Sequence, residues 1–232
     1  MRSKSIFGAF ALLMSLSAIS PTLTACAKQM DHGSGMGTTE SPTTTDHGSS
    51  GSAESSTAMS HDMGDMDLGP KDETFDLRFI DGMILHHQGA VAMAEDALEH
   101  SNRDEIRQLA QAIAAVQQTE IEQMQQWRQA WYPDAGPEPM MYHAQMGHMM
   151  EMSEEMKAAM MMNVDLGAAD EEFDLRFLNA MIPHHEGALE MAEQALERSD
   201  RPEMQELARN ILSSQQQEID QMNQWKKDWY GQ

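Results

Sequence analysis

Two adjacent histidines occur twice in this chain, at His86-His87 and at His184-His185. Each pair lies in the same sequence pattern, M-I-x-H-H-x-G-A. Many apolar residues can satisfy packing, so a pair of imidazoles kept in both copies indicates a site that needs imidazole. The four histidines are therefore candidate metal ligands, with one holding site expected at each pair.

The histidine pairs belong to a longer unit, residues 75–132, which recurs without a gap at residues 173–230. Of the 58 aligned positions, 33 are identical. In both copies apolar residues recur with helical spacing and form one broad face. We predict an all-α fold, an antiparallel four-helix bundle made of two repeated helical hairpins with a Met-rich connector. The repeats are expected at about 73–132 and 171–230, with the connector at 133–170.

The turn inside each copy is marked by residues that favour a helix start. These are Asn102 with Glu105 in the first copy, and Asp200 with Pro202 in the second. If each turn is centred there, His86 lies level with Gln117 across the hairpin, and the second copy repeats this arrangement. The polar residues predicted to receive the imidazole N–H groups and to orient the rings are Gln117, Glu120, Gln215 and Glu218.

Methionines lie one or two helical turns from the histidines. Thioether and imidazole without thiolate suit Cu(I) best and also Ag(I), whereas imidazole with carboxylate suits Cu(II), zinc or iron. The alternative is a buried polar layer that only sets the register of the bundle. A histidine site should release metal below roughly pH 6, as imidazole becomes charged. The candidate ligands are His86, His87, Met83, Met93, His184, His185, Met181 and Met191.

Two further segments are rich in methionine and histidine. Residues 140–162 contain ten methionines and no Leu, Ile, Val or Phe, and we predict a short helix with loops there. Residues 28–69 are dominated by polar and small residues, which predicts a disordered tether. Both segments could capture soft cations before the histidine pairs hold them. Their weaker candidate ligands are His61, Met59, Met63, Met66, His143, Met146, His148, Met149 and Met152.

The N-terminus has the features of a bacterial lipoprotein signal. Two basic residues precede an apolar run, and L-T-A-C ends at Cys26, the only cysteine of the chain. We expect cleavage after residue 25, lipidation of Cys26, and a tether over residues 26–70. An ordinary secreted protein is the alternative. The formal net charge of −23 disfavours nucleic acid as a partner and attracts cations.

The motifs around both histidine pairs resemble the bacterial domain-of-unknown-function 305 family. The resemblance is carried by F-D, M-I, H-H, G-A and M-A in the first helix of each copy, and by Gln117, Glu120, Met124 and Trp127 in the second helix. It implies a ferritin-like helical bundle outside the cytoplasm. Some members, the CopM-type proteins, bind copper and contribute to copper resistance.

These observations predict a lipid-anchored, extracytoplasmic copper-binding protein, in the periplasm or at the cell surface. It would sequester copper or deliver it, with an envelope copper transporter or oxidase as a further partner. A ferritin-like metal oxidase is one alternative, but Glu-x-x-His motifs are missing from the predicted helices. A lipid-anchored interaction module without metal is another. No nucleophile or phosphate-binding motif is evident, so we expect a non-enzyme.

Overall fold

A computed structural model describes residues 66–232 of the chain. Its elements are α1 (Phe75–His100), α2 (Asp104–Trp131), β1 (Met140–His143), β2 (His148–Glu151), α3 (Glu154–Met161), α4 (Phe173–Arg198) and α5 (Pro202–Tyr230). Helices α1 and α2 form one hairpin, α4 and α5 form the other, and α1 also contacts α4. The predicted all-α bundle of two repeated hairpins is confirmed. Within residues 66–232, no helix has both the length and the apolar character needed to cross a membrane.

The hydrophobic core consists of two clusters, one towards each end of the bundle. The Phe75 cluster joins the first half of α1 to the second half of α4, and the Phe173 cluster joins the second half of α1 to the first half of α4. Helices α1 and α4 are therefore antiparallel. Along α1, the change from one cluster to the other falls between Met83 and Ala90. The paired histidines lie at this change.

Both hairpin turns differ from the prediction by one or two residues. Helix α2 begins at Asp104 after the N-cap residue Arg103, and Arg103 makes no side-chain cap. The hydroxyl of Ser101 accepts the N–H of Arg103 at 3.1 Å within the turn. Ser199 makes the same contact in the second copy, where α5 begins at Pro202. The predicted caps are therefore wrong, since no side chain caps either helix and a serine hydroxyl orders the turn before each one.

Symmetric contacts join the two hairpins at both ends of the bundle. Arg103 pairs with Asp174 at 3.0 Å, and Arg201 pairs with Asp76 at 3.1 Å. Each guanidinium also lies over a tryptophan ring of the other hairpin, at Trp229 and at Trp131. These tryptophans stack on Trp225 and Trp127 of their own helices and pack the ends of the bundle.

The connector contains a β-hairpin that was not predicted. Strands β1 and β2 are antiparallel and pair Met140 with Glu151 and His143 with His148. The helical spacing of Met149, Met152, Met156 and Met160 does not form one helix, since β2 ends at Glu151 and α3 starts at Glu154. Ser153 caps α3 by accepting the N–H of Met156. Strand pairing and this cap override the periodicity.

A short segment precedes the first helix of each copy, and we call these segments the first strap (66–74) and the second strap (164–172). Arg78 fastens the first strap by donating to the carbonyls of Leu68 and Pro70, at 2.6 and 2.5 Å. Arg176 fastens the second strap in the same way through Leu166 and Ala168. Residues 66–70 therefore pack onto the bundle, although their composition resembles that of the tether.

Candidate metal centre

One histidine from each copy, His86 and His184, meets the other at the centre of the bundle. Their ring centroids lie 3.8 Å apart, with the ring planes inclined by 51°. Both side chains are fully buried. The repeat suggests one holding site per copy, but the antiparallel crossing of α1 and α4 brings the two positions together. The sequence repeat could not show this, because it does not specify how the hairpins face each other. We call the pair of His86 and His184 the inner layer.

The inner layer leaves imidazole nitrogens unsatisfied. Among residues 66–232, neither ring nitrogen of His86 has a hydrogen-bond partner, and neither has Nδ1 of His184. Burial lowers the pKa of His86 well below its usual range, and it lowers the pKa of His184 to about 3. Both rings are therefore neutral at pH 7 and offer lone pairs to a metal. A polar layer that only set the register would have satisfied these nitrogens.

The outer histidines, His87 and His185, are held by the predicted glutamates. His87 Nε2 lies 2.7 Å from Glu120 Oε2, and His185 Nε2 lies 2.7 Å from Glu218 Oε2. Each glutamate accepts the Nε2–H of its histidine, which fixes the tautomer and leaves Nδ1 as the lone-pair nitrogen. The glutamates thus orient the outer rings, whereas the inner rings lack this support.

The predicted glutamines do not make the expected contacts. Gln117 and Gln215 are buried, but within the described part of the chain their Oε1 atoms have no hydrogen-bond partner. Level positions across the hairpin therefore do not bring the amides onto the inner histidines. Counting residues from the turn therefore identified the correct level in the bundle. It did not identify the hydrogen-bond partners of the inner histidines, because the helix that carries each histidine sets the direction of its ring.

The methionines predicted as primary ligands pack in the core. Met83 and Met191 belong to the Phe75 cluster, and Met93 and Met181 belong to the Phe173 cluster. All four are almost fully buried among apolar side chains. Their helical spacing from the histidines reflects their positions in the core. They cover the inner layer above and below with apolar surface.

Different thioethers lie beside the inner layer, on its Gly187 face. A methyl group at Gly187 would lie 3.2 Å from His86 Nε2, 3.3 Å from Met66 Cε and 3.5 Å from Met162 Sδ. One imidazole nitrogen and two methionine side chains therefore converge on the same point. Only glycine leaves this point open, since any Cβ would fill it. Met66 was a weaker candidate from sequence, and Met162 was not a candidate.

The Gly89 face is closed by backbone instead. A methyl group at Gly89 would lie 1.7 Å from the carbonyl oxygen of Met161 and 3.2 Å from His184 Nε2. His184 Nε2 donates to this same carbonyl at 3.1 Å. Pro183 does not account for the difference between the two faces, since α4 is one uninterrupted helix through Pro183. The difference comes from the end of α3, which covers one face with a carbonyl.

The first strap positions Met66 at the Gly187 face. Gln194 Nε2 donates to the Met66 carbonyl at 2.8 Å, and Gln194 Oε1 accepts the N–H of Leu68 at 2.8 Å. A sequence signal for this strap exists, because D-L-G-x-x-D-E at Asp67 recurs at Asp165 with the same offset as the histidines. The aligned residue for Met66 is Val164. Only the first strap can therefore supply a thioether.

The remaining weaker candidates fall into two groups. His143, His148 and Met146 lie on the β-hairpin or its turn, while Met149 contacts Arg78 and Met152 is buried. His61, Met59 and Met63 lie outside the described residues, as do Cys26, the signal segment and the tether up to residue 65. Within residues 66–232, no three His, Cys, Asp or Glu side chains cluster closely enough to hold a metal ion.

Two overlapping regions of the chain match one known family. Residues 23–128 and residues 76–226 each match the family described as Domain of unknown function (DUF305). The chain belongs to the DUF305 family. The two matches overlap and reflect the internal repeat.

Solved structures of CopM are similar to this DUF305 protein. CopM in the Cu(II)-bound form is 39% identical, covers 67% of this chain and 97% of its own, and has a TM-score of 0.54. CopM in the Cu(I)-bound form is 34% identical with the same coverage and a TM-score of 0.53. Uncharacterized protein L153 of Acanthamoeba polyphaga mimivirus is 44% identical over 50 residues, which are 22% of this chain and 33% of that protein. The DUF305 protein thus spans about a third of the length of this viral relative.

Proposed function

We propose that this DUF305 protein binds Cu(I) at the Gly187 face of the inner layer and sequesters copper or hands it on. One observation carries the proposal: His86 Nε2 is buried without a hydrogen-bond partner among residues 66–232, at the point where the Met66 and Met162 side chains converge. A buried neutral imidazole beside thioethers is a soft donor set, which suits Cu(I) and also Ag(I). Cu(II) would require harder ligands beside the imidazole.

The structures of CopM support the choice of metal. CopM has been solved in Cu(II)-bound, Cu(I)-bound and Ag-bound forms, and its sequence covers two thirds of this chain. On this chain the buried site favours the monovalent ions. The thioethers carry no charge, so a neutral imidazole with two thioethers adds a single positive charge to the interior when Cu(I) binds, and Cu(II) would add two.

The pH dependence of binding follows from burial. Protons compete with a metal for imidazole only near the imidazole pKa. Because burial lowers the pKa of both inner histidines, the folded protein should retain metal below pH 6. The sequence-based expectation of release near pH 6 applies to an exposed imidazole.

We propose a binding role and not a catalytic one. A catalytic metal keeps an open position for substrate, whereas side chains and the end of α3 enclose the inner layer. We also propose that the protein acts outside the cytoplasm, anchored through a lipid on Cys26. Incorporation of labelled palmitate into the chain, lost in Cys26→Ser, would support the anchor; an unlabelled chain in the soluble envelope fraction would contradict it.

The test of the metal site is a Cu(I) titration of the full chain against a colorimetric Cu(I) chelator under reducing conditions. The full chain is needed, because a shorter fragment that begins at residue 70 would contain the helices but not Met66. The variant His86→Asn/His184→Asn should weaken the tightest site at least about 100-fold, since it removes the imidazole donors. His100→Asn is the matched control, because His100 lies far along α1 and bonds Asp96.

Circular dichroism must show that the variant is folded. If the double variant does not fold, Met66→Leu/Met162→Leu provides the same test with the imidazoles intact, and we expect at least a tenfold loss of affinity. Unchanged tight binding in a folded variant of either kind would refute the proposed site.

A further inference from the structure

The β-hairpin of the connector sorts its side chains onto two faces. The register pairs Tyr142 with Met149 and Met140 with Glu151, so these four residues share one face. His143 pairs with His148, and Met141 pairs with Met150, so these share the other face. We call the second set the His-Met face.

The face that carries Tyr142 packs against the bundle. The guanidinium of Arg78 lies 5.4 Å from the centre of the Tyr142 ring, and Arg78 donates to Met149 Sδ at 3.3 Å. A methyl group at Gly69 would lie 2.6 Å from the Tyr142 ring. Met149 is thus occupied by a structural contact. By alternation along the strands, the His-Met face points away from Arg78.

The His-Met face presents four donors of the type that soft cations prefer. The rings of His143 and His148 have centroids 6.5 Å apart and planes inclined by 30°. Two imidazoles that bind one ion through bonds of about 2 Å have centroids at most roughly 6 Å apart, so a small rotation suffices. His148 is exposed, and Met141, His143 and Met150 are partly exposed. These side chains are therefore reachable from solvent.

Backbone contacts direct one nitrogen of each ring outward. His148 Nδ1 donates to the Met149 carbonyl at 2.8 Å, which leaves Nε2 as the lone-pair nitrogen. His143 Nδ1 accepts the N–H of Met146 at 3.3 Å. The neutral ring of His143 then carries its proton on Nε2, and cation binding at Nε2 requires that proton to move to Nδ1, which gives up the contact with the Met146 N–H.

We propose that the His-Met face is a second binding site for a soft monovalent cation, Cu(I) or Ag(I). Its ligands are Nε2 of His143 and His148 and the thioethers of Met141 and Met150. It shares no residue with the inner layer. The strand register therefore assigns Met141 and Met150 to the site and excludes Met149. Met152 lies beyond the end of β2 and is buried.

The test uses the full chain with carbon-13 in the methionine methyl groups, titrated with Ag(I) and followed by NMR. Met141→Leu and Met150→Leu assign the two methyl signals. We expect both signals to shift together with the ring signals of His143 and His148, and to saturate at one ion. The double variant His143→Asn/His148→Asn should raise the Ag(I) concentration needed for half-saturation of these methyl shifts at least about tenfold.

Two control variants make the test specific. Met140→Leu/Met149→Leu makes the same chemical change on the opposite face of the hairpin, and it should leave the shifts of Met141 and Met150 unchanged. His86→Asn/His184→Asn should also leave them unchanged, so failure of the inner site and failure of this site are distinguishable. The proposal is overturned if the Met141 and Met150 methyls do not shift, if they shift without the histidine rings, or if either control abolishes the response.

Discussion

The two faces of the inner layer have the same residues in the same helical register but different surroundings. On the Gly187 face, His86 Nε2 lies beside two methionine side chains and has no partner among the described residues. On the Gly89 face, His184 Nε2 bonds the Met161 carbonyl. A duplicated sequence has therefore produced one face suited to a metal and one face closed by a hydrogen bond.

The difference originates at the end of one short helix. Met161 is the last residue of α3, and Met162 caps it with a positive φ of 48°. This reversal turns the Met161 carbonyl towards Gly89 while the Met162 thioether reaches Gly187. A non-repeated segment thus breaks the symmetry of the repeat, because consecutive residues serve opposite faces.

The largest expected effect comes from adding a methyl group to each face. Gly89→Ala should lower the free energy of unfolding by about 3 kcal/mol, because the methyl group would clash with backbone at the Met161 carbonyl. Gly187→Ala should change it by less than about 1 kcal/mol, since flexible methionine side chains can move and alanine favours the helix. Urea unfolding of the metal-free proteins measures both.

Of the same two variants, Gly187→Ala should have the larger effect on Cu(I) affinity. The alanine methyl at Gly187 fills the point between His86 Nε2 and the thioethers, so Gly187→Ala should weaken Cu(I) binding at least about tenfold. If Gly187→Ala bound Cu(I) like the parent protein, the metal would not lie on this face.

The next effect is the pH dependence of stability in the metal-free protein. His184 has a pKa of about 3 in the folded state and about 6.5 when unfolded. Between these values only the unfolded chain takes up the proton, so stability is lost as pH falls through this window. The slope is about 1.4 kcal/mol per pH unit for each such histidine, or about 2.7 kcal/mol for His86 and His184 together.

Leucine variants isolate this contribution from the many carboxylates of the chain. His86→Leu and His184→Leu should each reduce the slope of stability against pH between pH 4 and 6 by about half of the joint value. Chemical denaturation at several pH values provides the comparison. Slopes equal to that of the parent protein would show that the inner rings are protonated in the folded state.

The smallest effect concerns the single hydrogen bond that separates the two faces. His184→Leu leaves the Met161 carbonyl, which is partly buried, without its donor and should cost about 1 kcal/mol. His86→Leu removes a ring with no partner among residues 66–232 and should be close to neutral. Thermal unfolding without metal should rank His86→Leu above His184→Leu in stability. The reverse order would place the stabilising polar contact on His86.

Periodicity and duplication were sufficient to predict the helices. The first repeat was expected to begin at about residue 73 and α1 begins at Phe75, because an uninterrupted apolar face over seven turns leaves little freedom. The turns were less predictable, since Asn102 and Asp200 are good capping residues and yet no side chain caps α2 or α5. The β-hairpin was missed because methionine has no strong preference for strand.

The candidate site was predictable in its histidines and not in its thioethers. Paired imidazoles in both copies identified His86 and His184, whereas helical spacing pointed to Met83 and Met181, which the core uses instead. Met66 and Met162 reach the layer from a strap and from the end of α3. Such contacts depend on how non-repeated segments fold over the bundle, and a linear spacing does not contain that information.

The first strap also brings to the buried site a side chain that the repeat itself does not carry. Gln194 and Arg78 hold this strap, and Met66 is its first residue. Because these hydrogen bonds already order the strap, the thioether of Met66 loses little conformational entropy when a cation binds at the Gly187 face. The fold thus prepares this ligand in advance, and binding does not require a ligand-bearing segment to fold.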